Sequence, residues 1–167
     1  MKEEARSQLQ KIIGDYDAKL TEAERVDTAN RAAHSAFPER FVNFKTGTIR
    51  PALQEIADML NERGHEASVC EQEESASTAG GVKSAAISLR VVPKPFAHKS
   101  TDLHPSAIEI TFSANRTERK VTVSSTNTMM RQGGSIGKRG EYEIDAVSVD
   151  VVANHVIQAL NEAFGGR

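Results

Sequence analysis

Residues 131–140 form a glycine-rich, basic segment that holds the residue types in this chain best suited to binding chemistry. Glycines allow backbone N–H groups to approach an anion closely, and neighbouring cations add the opposite charge. The candidates for an anion-binding site are Arg131, Gly133, Gly134, Gly137, Lys138 and Arg139. The segment is not a P-loop, because Gln132 stands where that motif requires glycine and Arg139 stands where it requires serine or threonine. The sequence predicts either a generic anion contact or a solvated loop whose charges aid solubility.

The same segment contains the spacing of a nucleophile elbow, Gly-x-Ser-x-Gly, centred on Ser135 and followed by acids and by His155. An elbow requires a sharp turn from a strand into a helix. Here the chain continues into a predicted strand after Gly140, so we expect Ser135 and His155 not to be catalytic partners. The sequence favours a protein that is not an enzyme, assigns no catalytic residue and leaves a small hydrolase as the weakest alternative.

Metal and thiol chemistry have little support in the sequence. His98, Asp102 and His104 lie close together and offer nitrogen and carboxylate ligands, but closed zinc sites usually include cysteines, and Cys70 is the only one. Cys70 lies in an alternating segment without an adjacent basic cluster, which predicts a small buried residue and not a reactive thiolate. No metal ligand and no cofactor is assigned.

The charges are distributed unevenly along the chain. The net charge of −2 arises from 21 basic and 23 acidic residues. Residues 83–140 carry 10 basic and 3 acidic side chains, whereas residues 1–82 carry 10 and 15, and residues 141–167 carry 1 and 5. Either the basic strands face acidic helices or solvent within one domain, or segment 83–140 attracts phosphate-bearing ligands or nucleic acid.

Length and composition indicate one domain in a reducing compartment. The 167 residues fall in the size range of single domains. The apolar content of 38% is lean against roughly 45 to 50% for typical domains, which favours an oligomer. One cysteine allows no internal disulfide, and residues 1–10 contain acids where a signal peptide needs apolar residues. Since no run of roughly 18 apolar residues occurs, we predict a cytoplasmic protein without membrane contact.

Residues 3–36 have the periodicity of an amphipathic helix. Its apolar stripe consists of Leu9, Ile12, Ile13, Tyr16, Leu20, Ala23 and Val26. A capping box that begins at Thr21 leaves open whether this is one helix or two, and Pro38 is predicted to end it. Packing of the stripe in the core is the favoured interpretation. A partner helix is the alternative, weakened by Asp27 and Asn30 on the continuing stripe.

The following segment predicts a packed connection, a second helix and a strand. The connection contains Phe37, Phe41, Val42 and Phe44, which we expect to be packed down as a plug. Thr48 can cap a helix that runs to about Arg63. Gly64 can then end this helix by adopting the left-handed backbone conformation. Residues 65–72 alternate as a strand, and the small residues of 75–81 are expected to be mobile.

The remaining chain predicts strands followed by one helix. Residues 83–92 alternate in polarity, and two further alternating runs, residues 108–112 and 121–123, flank a charged turn as in an antiparallel hairpin. A short strand at residues 140–144 precedes a helix from Ser148 to Phe164. Runs of strands without intervening helices indicate an antiparallel meander covered by helices.

These observations predict a fold class and only a broad function. The fold is a single α+β domain of 167 residues: an antiparallel four- or five-stranded meander covered by N-terminal helices and a long C-terminal helix in two layers. Residues 1–36 are either part of it or an arm that protrudes or is swapped between copies. We expect a non-enzymatic binding or assembly module with a protein partner or self-association. The alternative is a binder of a phosphate-bearing ligand or nucleic acid through segment 83–140.

Overall fold

The computed structural model of the chain describes residues 3–76, 81–96, 106–128 and 135–165. The fold is α+β, as predicted, with helices and an antiparallel sheet of five strands. Two compact units divide the chain, residues 1–36 and residues 37–167. The predicted arm at residues 1–36 stays a prediction.

The first helix, α1, is one helix from Glu3–Phe44, without the break considered at Thr21. The prediction that Pro38 ends it is wrong, because Pro38 lies inside the helix. A proline in a helix interior costs about 3 kcal/mol. Phe37 and Phe41 on either side of it are buried, and burying a phenylalanine side chain contributes about 1.5–3 kcal/mol, so the two together offset that cost. The aromatic plug is therefore helical and not a connecting loop.

A π-helical segment, Lys45–Ile49, joins α1 to the second helix, α2, which spans Arg50–Glu62. The predicted cap at Thr48 is wrong, because the helical backbone is continuous there and neither helical start has a side-chain cap. No free helix end remains for a cap to serve. The predicted stop is confirmed: Gly64 has a φ of 84°, and its N–H donates to the carbonyl of Asn61.

The main sheet contains five antiparallel strands. Two further short strands, which lie between the first two of these in the sequence, pair with each other in a separate sheet. The strands are β1 Glu66–Gln72, β2 Ser75–Ala76, β3 Val82–Lys83, β4 Ala86–Val92, β5 Ile108–Asn115, β6 Lys120–Asn127 and β7 Ser135–Glu143. The order in the main sheet is β1-β4-β5-β6-β7, and β2 pairs with β3. The predicted hairpin is confirmed, with Phe112 opposite Val123.

Two predicted loops are shorter than expected. The basic loop was expected to last until Gly140, but β7 already begins at Ser135, which pairs with Asn127. A register shift between Val123 and Ser124 lets β7 continue along β6. Of the segment predicted to be mobile, Ser75–Ala76 and Val82–Lys83 are paired strands, and residues 77–80 lie outside the described residues.

The core lies on one face of the main sheet. Alternate side chains of β4, β5 and β6 are fully buried, for example Leu89, Ile110 and Val123. Helix α2 contacts β1 and β4, and the last helix, α3 Val149–Gly165, contacts β5 and β6. Ser148 caps α3 as predicted, since its Oγ accepts the N–H of Val151 at 3.3 Å.

Two further predictions need correction. Helix α3 has 17 residues and is short beside the 42 residues of α1, so a long C-terminal helix is not supported. Its buried stripe ends at Ala159, within three turns of Val152. Cys70 is exposed and not buried, because Ala67 and Val69 occupy the half-buried side of β1 and strand side chains alternate between faces.

Lys45 in the π-helical segment is a buried cation with carboxylate partners. Its side chain is 1% exposed, and its Nζ donates to Glu73 at 2.7 Å and forms an ion pair with Glu71 at 3.0 Å. Burial alone would lower the pKa of Lys45, but hydrogen bonds to Glu73 and Glu71 outweigh burial and raise it. The charged amine therefore ties the helical segment to the end of β1.

Replacing Lys45 should separate the effect of its charge from that of its packing. We expect Lys45→Met, which keeps the apolar stem, to lower the free energy of unfolding by about 1–2 kcal/mol, because Glu71 and Glu73 lose their partner but still reach water. Lys45→Ala should cost about 2 kcal/mol more through the cavity it leaves. Urea denaturation of both variants, with exposed Lys11→Met as the control, measures this. Equal stability of the native chain and the three variants would contradict a stabilising role for the Lys45 ion pairs.

Candidate functional site

A cavity of about 340 Å³ lies where β6, β7 and α3 meet, and it contains the described part of the predicted anion site. Its lining consists of Ser125, Ile136, Gly137, Lys138, Arg139, Gln158 and Glu162. Gly137, Lys138 and Arg139 are three of the six candidates, and they lie on a strand and not in a loop. Arg131, Gly133 and Gly134 lie outside the described residues.

Arg139 is the centre of this cavity. Its side chain is only 16% exposed, and its Nε donates to Ser125 Oγ at 2.5 Å. Both terminal nitrogens hold the carboxylate of Glu162 on α3, with Nη1 at 3.0 Å from Oε1 and Nη2 in contact with Oε2. The hydrogen bond from Arg139 lowers the pKa of Glu162. This two-pronged contact is the geometry with which arginine recognises a carboxylate or a phosphate, and here the chain itself supplies the anion.

Lys138, the second cation of the cavity, also has an acidic partner. Its Nζ lies 3.2 Å from Glu141 Oε2, and this contact is the main cause of the lowered pKa of Glu141. At the other end of the sheet, Arg116 pairs with Glu74 at 2.7 Å. Basic residues of segment 83–140 thus meet acids from the flanking segments, as expected if basic strands face acidic neighbours within one domain.

Beside the cavity, the buried His155 forms a pair with the half-buried Tyr142. The Tyr142 hydroxyl lies 2.7 Å from His155 Nε2, and His155 is 7% exposed. The ring of Tyr142 covers Gly140 so closely that a Cβ there would lie 2.7 Å from it, which excludes a larger residue without displacement of the ring. Burial first, and the charge of Arg139 second, lower the pKa of His155. Both effects favour the neutral form of the imidazole.

The tautomer of His155 follows from its other nitrogen. Nδ1 is buried, and the described residues offer it no hydrogen-bond partner. An unpaired buried acceptor is less costly than an unpaired N–H, so the hydrogen resides on Nε2 and is donated to the Tyr142 oxygen. This arrangement is that of a core contact. The side chain of Ser135 lies outside the described residues, so its predicted lack of a catalytic role stays a prediction.

The loop residues His98, Asp102 and His104, which the sequence analysis considers but does not assign as metal ligands, lie outside the described residues. Within the described ranges, no group of three or more histidine, cysteine, aspartate or glutamate side chains is placed to hold a metal ion. The helices of those same ranges also lack the combination of length and apolar content needed to cross a membrane.

An apolar groove of about 580 Å³ runs between α2 and α3. Its wall includes Met59, Val149 and Ile157, which are each at least half exposed. The charged residues along it are Glu55 and Glu62 of α2 and Arg63, which caps the C-terminus of α2. The groove offers apolar surface and no converging polar groups, which suits a contact with another apolar surface better than chemistry.

The apolar stripe of residues 9–26 is exposed, and this corrects the favoured prediction that it packs in the core. The exposures are 48% for Leu9, 64% for Ile12, 51% for Ile13, 64% for Tyr16, 47% for Leu20 and 45% for Val26. Six large apolar side chains on one helix face exceed the scattered single residues that are normal on a surface.

The chain matches no protein-family model, no curated protein and no solved structure.

Sequence reasoning missed the residues that complete the Arg139 cavity. Glu162 and Gln158 were not singled out, although with His155 they occupy positions i, i+3 and i+7 of one helix and so share a face. A polar row of this kind beside the apolar stripe of α3 was a usable signal. Ser125 and Tyr142 gave none, because their meeting depends on the pairing of β6 with β7.

The buried His155 should make stability depend on pH. Its pKa is lower folded than unfolded, so below the unfolded value of about 6.5 the unfolded chain binds a proton that the folded chain resists. Stability is therefore retained above that pH and lost below it, by up to about 1.4 kcal/mol per unit. We expect His155→Gln to flatten this loss in urea denaturation between pH 7.5 and pH 5, whereas His34→Gln, an exposed control, should not. An unchanged slope in His155→Gln would contradict the assignment.

Proposed function

We propose that this protein is a non-enzymatic assembly module, in which α1 binds another helix through the apolar stripe of residues 9–26. The observation that carries the proposal is the exposure of six large apolar side chains, between 45 and 64%, on one face of that helix. Water contact with so much apolar surface is unfavourable, and a partner helix removes it.

The strength of such a contact can be estimated. Complete burial of a large apolar side chain contributes about 1.5–3 kcal/mol, so a half-exposed one gains about 1 kcal/mol. Two helices with six such side chains each would gain about 12 kcal/mol before the cost of association, which is about 4–15 kcal/mol. The net gain is then at most about 8 kcal/mol, which corresponds to a dissociation constant of about 1 µM or weaker, so the association should depend on concentration and not be permanent.

Other features are consistent with this role. The contacts of α2 with β1 and β4, and of α3 with β5 and β6, support a two-layer body for residues 37–167, whose core contains none of residues 9–26. A chain with one cysteine, and so no internal disulfide, suits the reducing cytoplasm. We place the module there.

Disrupting the stripe should abolish association. Ile13→Ser with Leu20→Ser removes two central apolar side chains, and we expect this variant to be monomeric where the native chain associates. Ala18→Ser with Thr28→Ser, which changes the same helix on other faces, is the matched control and should associate normally. Sedimentation equilibrium of the full chain from about 1 to about 100 µM measures the mass. A native chain that is monomeric throughout and binds no helical partner would refute the proposal.

A second function, anion binding at the Arg139 cavity, is supported by the two-pronged Arg139–Glu162 contact. The nearly buried guanidinium is already oriented for a carboxylate or phosphate, and Glu162, whose side chain is 63% exposed, can swing into water. A phosphate-bearing ligand or nucleic acid would replace the Glu162 carboxylate. Gly137 and Lys138 would flank it, and the remaining candidates Arg131, Gly133 and Gly134 follow from the sequence alone.

Neutralising the resident carboxylate should reveal this site. We expect Glu162→Gln to strengthen binding of duplex DNA and to steepen the dependence of log affinity on log salt by about 0.9, because one more phosphate is neutralised. Asp150→Asn, which removes an equal charge elsewhere on α3, is the control and should leave the slope unchanged. Fluorescence anisotropy at several salt concentrations measures both. No detectable binding of DNA or inorganic phosphate to Glu162→Gln at low salt would remove this candidate.

A further inference from the structure

We infer that the partner of the stripe is the same helix of a second copy, running parallel and in register as a two-stranded coiled coil. This inference rests on the proposed assembly function and adds the identity and direction of the partner. It follows from the spacing of the apolar residues and from the charges beside them.

The stripe has the spacing of a coiled-coil seam. Leu9, Ile13, Tyr16, Leu20 and Ala23 alternate steps of four and three residues, which keeps them on one line facing a partner helix. In the seven-residue repeat of a coiled coil, written abcdefg, Ile13 and Leu20 occupy positions a. Positions d are occupied by Leu9, Tyr16 and Ala23. A β-branched residue at a with leucine at d, as in Ile13 and Leu9, favours two strands over more.

The charges beside the seam select the direction. Lys19 lies on one flank and Glu24 on the other, five residues further on, and both are exposed. In a parallel in-register pair these two positions meet across the seam, so each dimer gains two Lys19–Glu24 contacts. In an antiparallel pair, the flank that carries Glu24 packs against the same flank of the second copy. Asp17 lies on that flank too, so Asp17 of one copy approaches Glu24 of the other, which is unfavourable.

The charge balance of the helix suits a second copy. Residues 3–31 contain five basic and seven acidic side chains with the two signs interspersed, so two copies repel each other little. The groove between α2 and α3 of another copy is a poorer partner, because Glu55 and Glu62 there would approach the acidic flank residues Asp17 and Glu24.

The seam also has a defined end. Asp27 and Asn30 occupy the next seam positions, and Asp27 is held by Arg31 of its own chain at 2.5 Å. The pair with Arg31 reduces the repulsion between the two Asp27 residues where the copies converge. A polar residue on a seam costs stability but penalises shifted registers, which would place it against Leu20 or Ala23.

Cysteine cross-linking of the full chain tests direction and register. In a Cys70→Ser background, Leu9→Cys places a thiol at one end of the seam, where it meets its own copy only in a parallel in-register pair. We expect it to form a disulfide dimer at least about tenfold faster than Ala18→Cys, which points away from the seam. A mixture of Leu9→Cys and Ala23→Cys chains should not cross-link to each other, whereas an antiparallel pair would join them.

Exchanging the charges of Lys19 and Glu24 provides a second test of the parallel direction. Lys19→Glu should weaken dimerisation about tenfold, because two attractive contacts become repulsive, and adding Glu24→Lys should restore it. Sedimentation equilibrium gives each dissociation constant.

The outcomes separate this inference from the proposed function. If the native chain dimerises and Ile13→Ser with Leu20→Ser abolishes this, but Leu9→Cys joins Ala23→Cys, the assembly function stands and the parallel direction is overturned. A dimer lost in Met59→Ser with Ile157→Ser, and kept in the stripe variant, would assign the interface to the α2–α3 groove and overturn the inference. Monomers at every concentration would overturn it together with self-association.

Discussion

The apolar face of the main sheet is the constraint on which the structure of residues 37–167 depends. Strands β4, β5 and β6 present a continuous buried row on that face, and burying it requires helices of matching length. Helices α2 and α3 meet this need, and so does the end of α1, where Phe37 and Phe41 join the same core. The need is strong enough to keep Pro38 within a helix and to leave the helical backbone unbroken through the π-helical segment.

Burial at the helix junction also explains where the charges lie. Lys45 is carried into the core at that junction, and a buried amine must be met by carboxylates. Glu71 and Glu73 at the end of β1 supply them, and Arg50 adds a contact to Glu71 at 3.1 Å. Runs of acidic residues that look like a solvated surface in the sequence are thus structural partners for cations distant in the chain. The Arg139 and Glu162 pair between β7 and α3 repeats this pattern.

Hydrophobic periodicity and the residues that favour turns and caps made most helices and strands predictable, but not where each one continues or ends. The hairpin of β5 and β6, the stop at Gly64 and the cap at Ser148 depend on local sequence and were predicted correctly. The passage through Pro38, the uncapped start of α2 and the early start of β7 depend on tertiary burial and pairing, which local propensity does not contain. For the same reason Gly137, Lys138 and Arg139 could be named from the sequence, whereas the meeting of Arg139 with Glu162 could not.

The apolar stripe of α1 shows a limit of a different kind. An amphipathic pattern indicates that one helix face is buried against another surface, but it does not indicate whether that surface belongs to the same chain. The burial of Phe37 and Phe41 and the exposure of Leu9, Ile13 and Tyr16 occur on one continuous helix with one repeating pattern. What distinguishes the two halves in the sequence is the interruption at Asp27 and Asn30, where the seam becomes polar. The polar residues separate two apolar surfaces: the second joins the core of residues 37–167, and the first is the exposed one for which we propose a second chain.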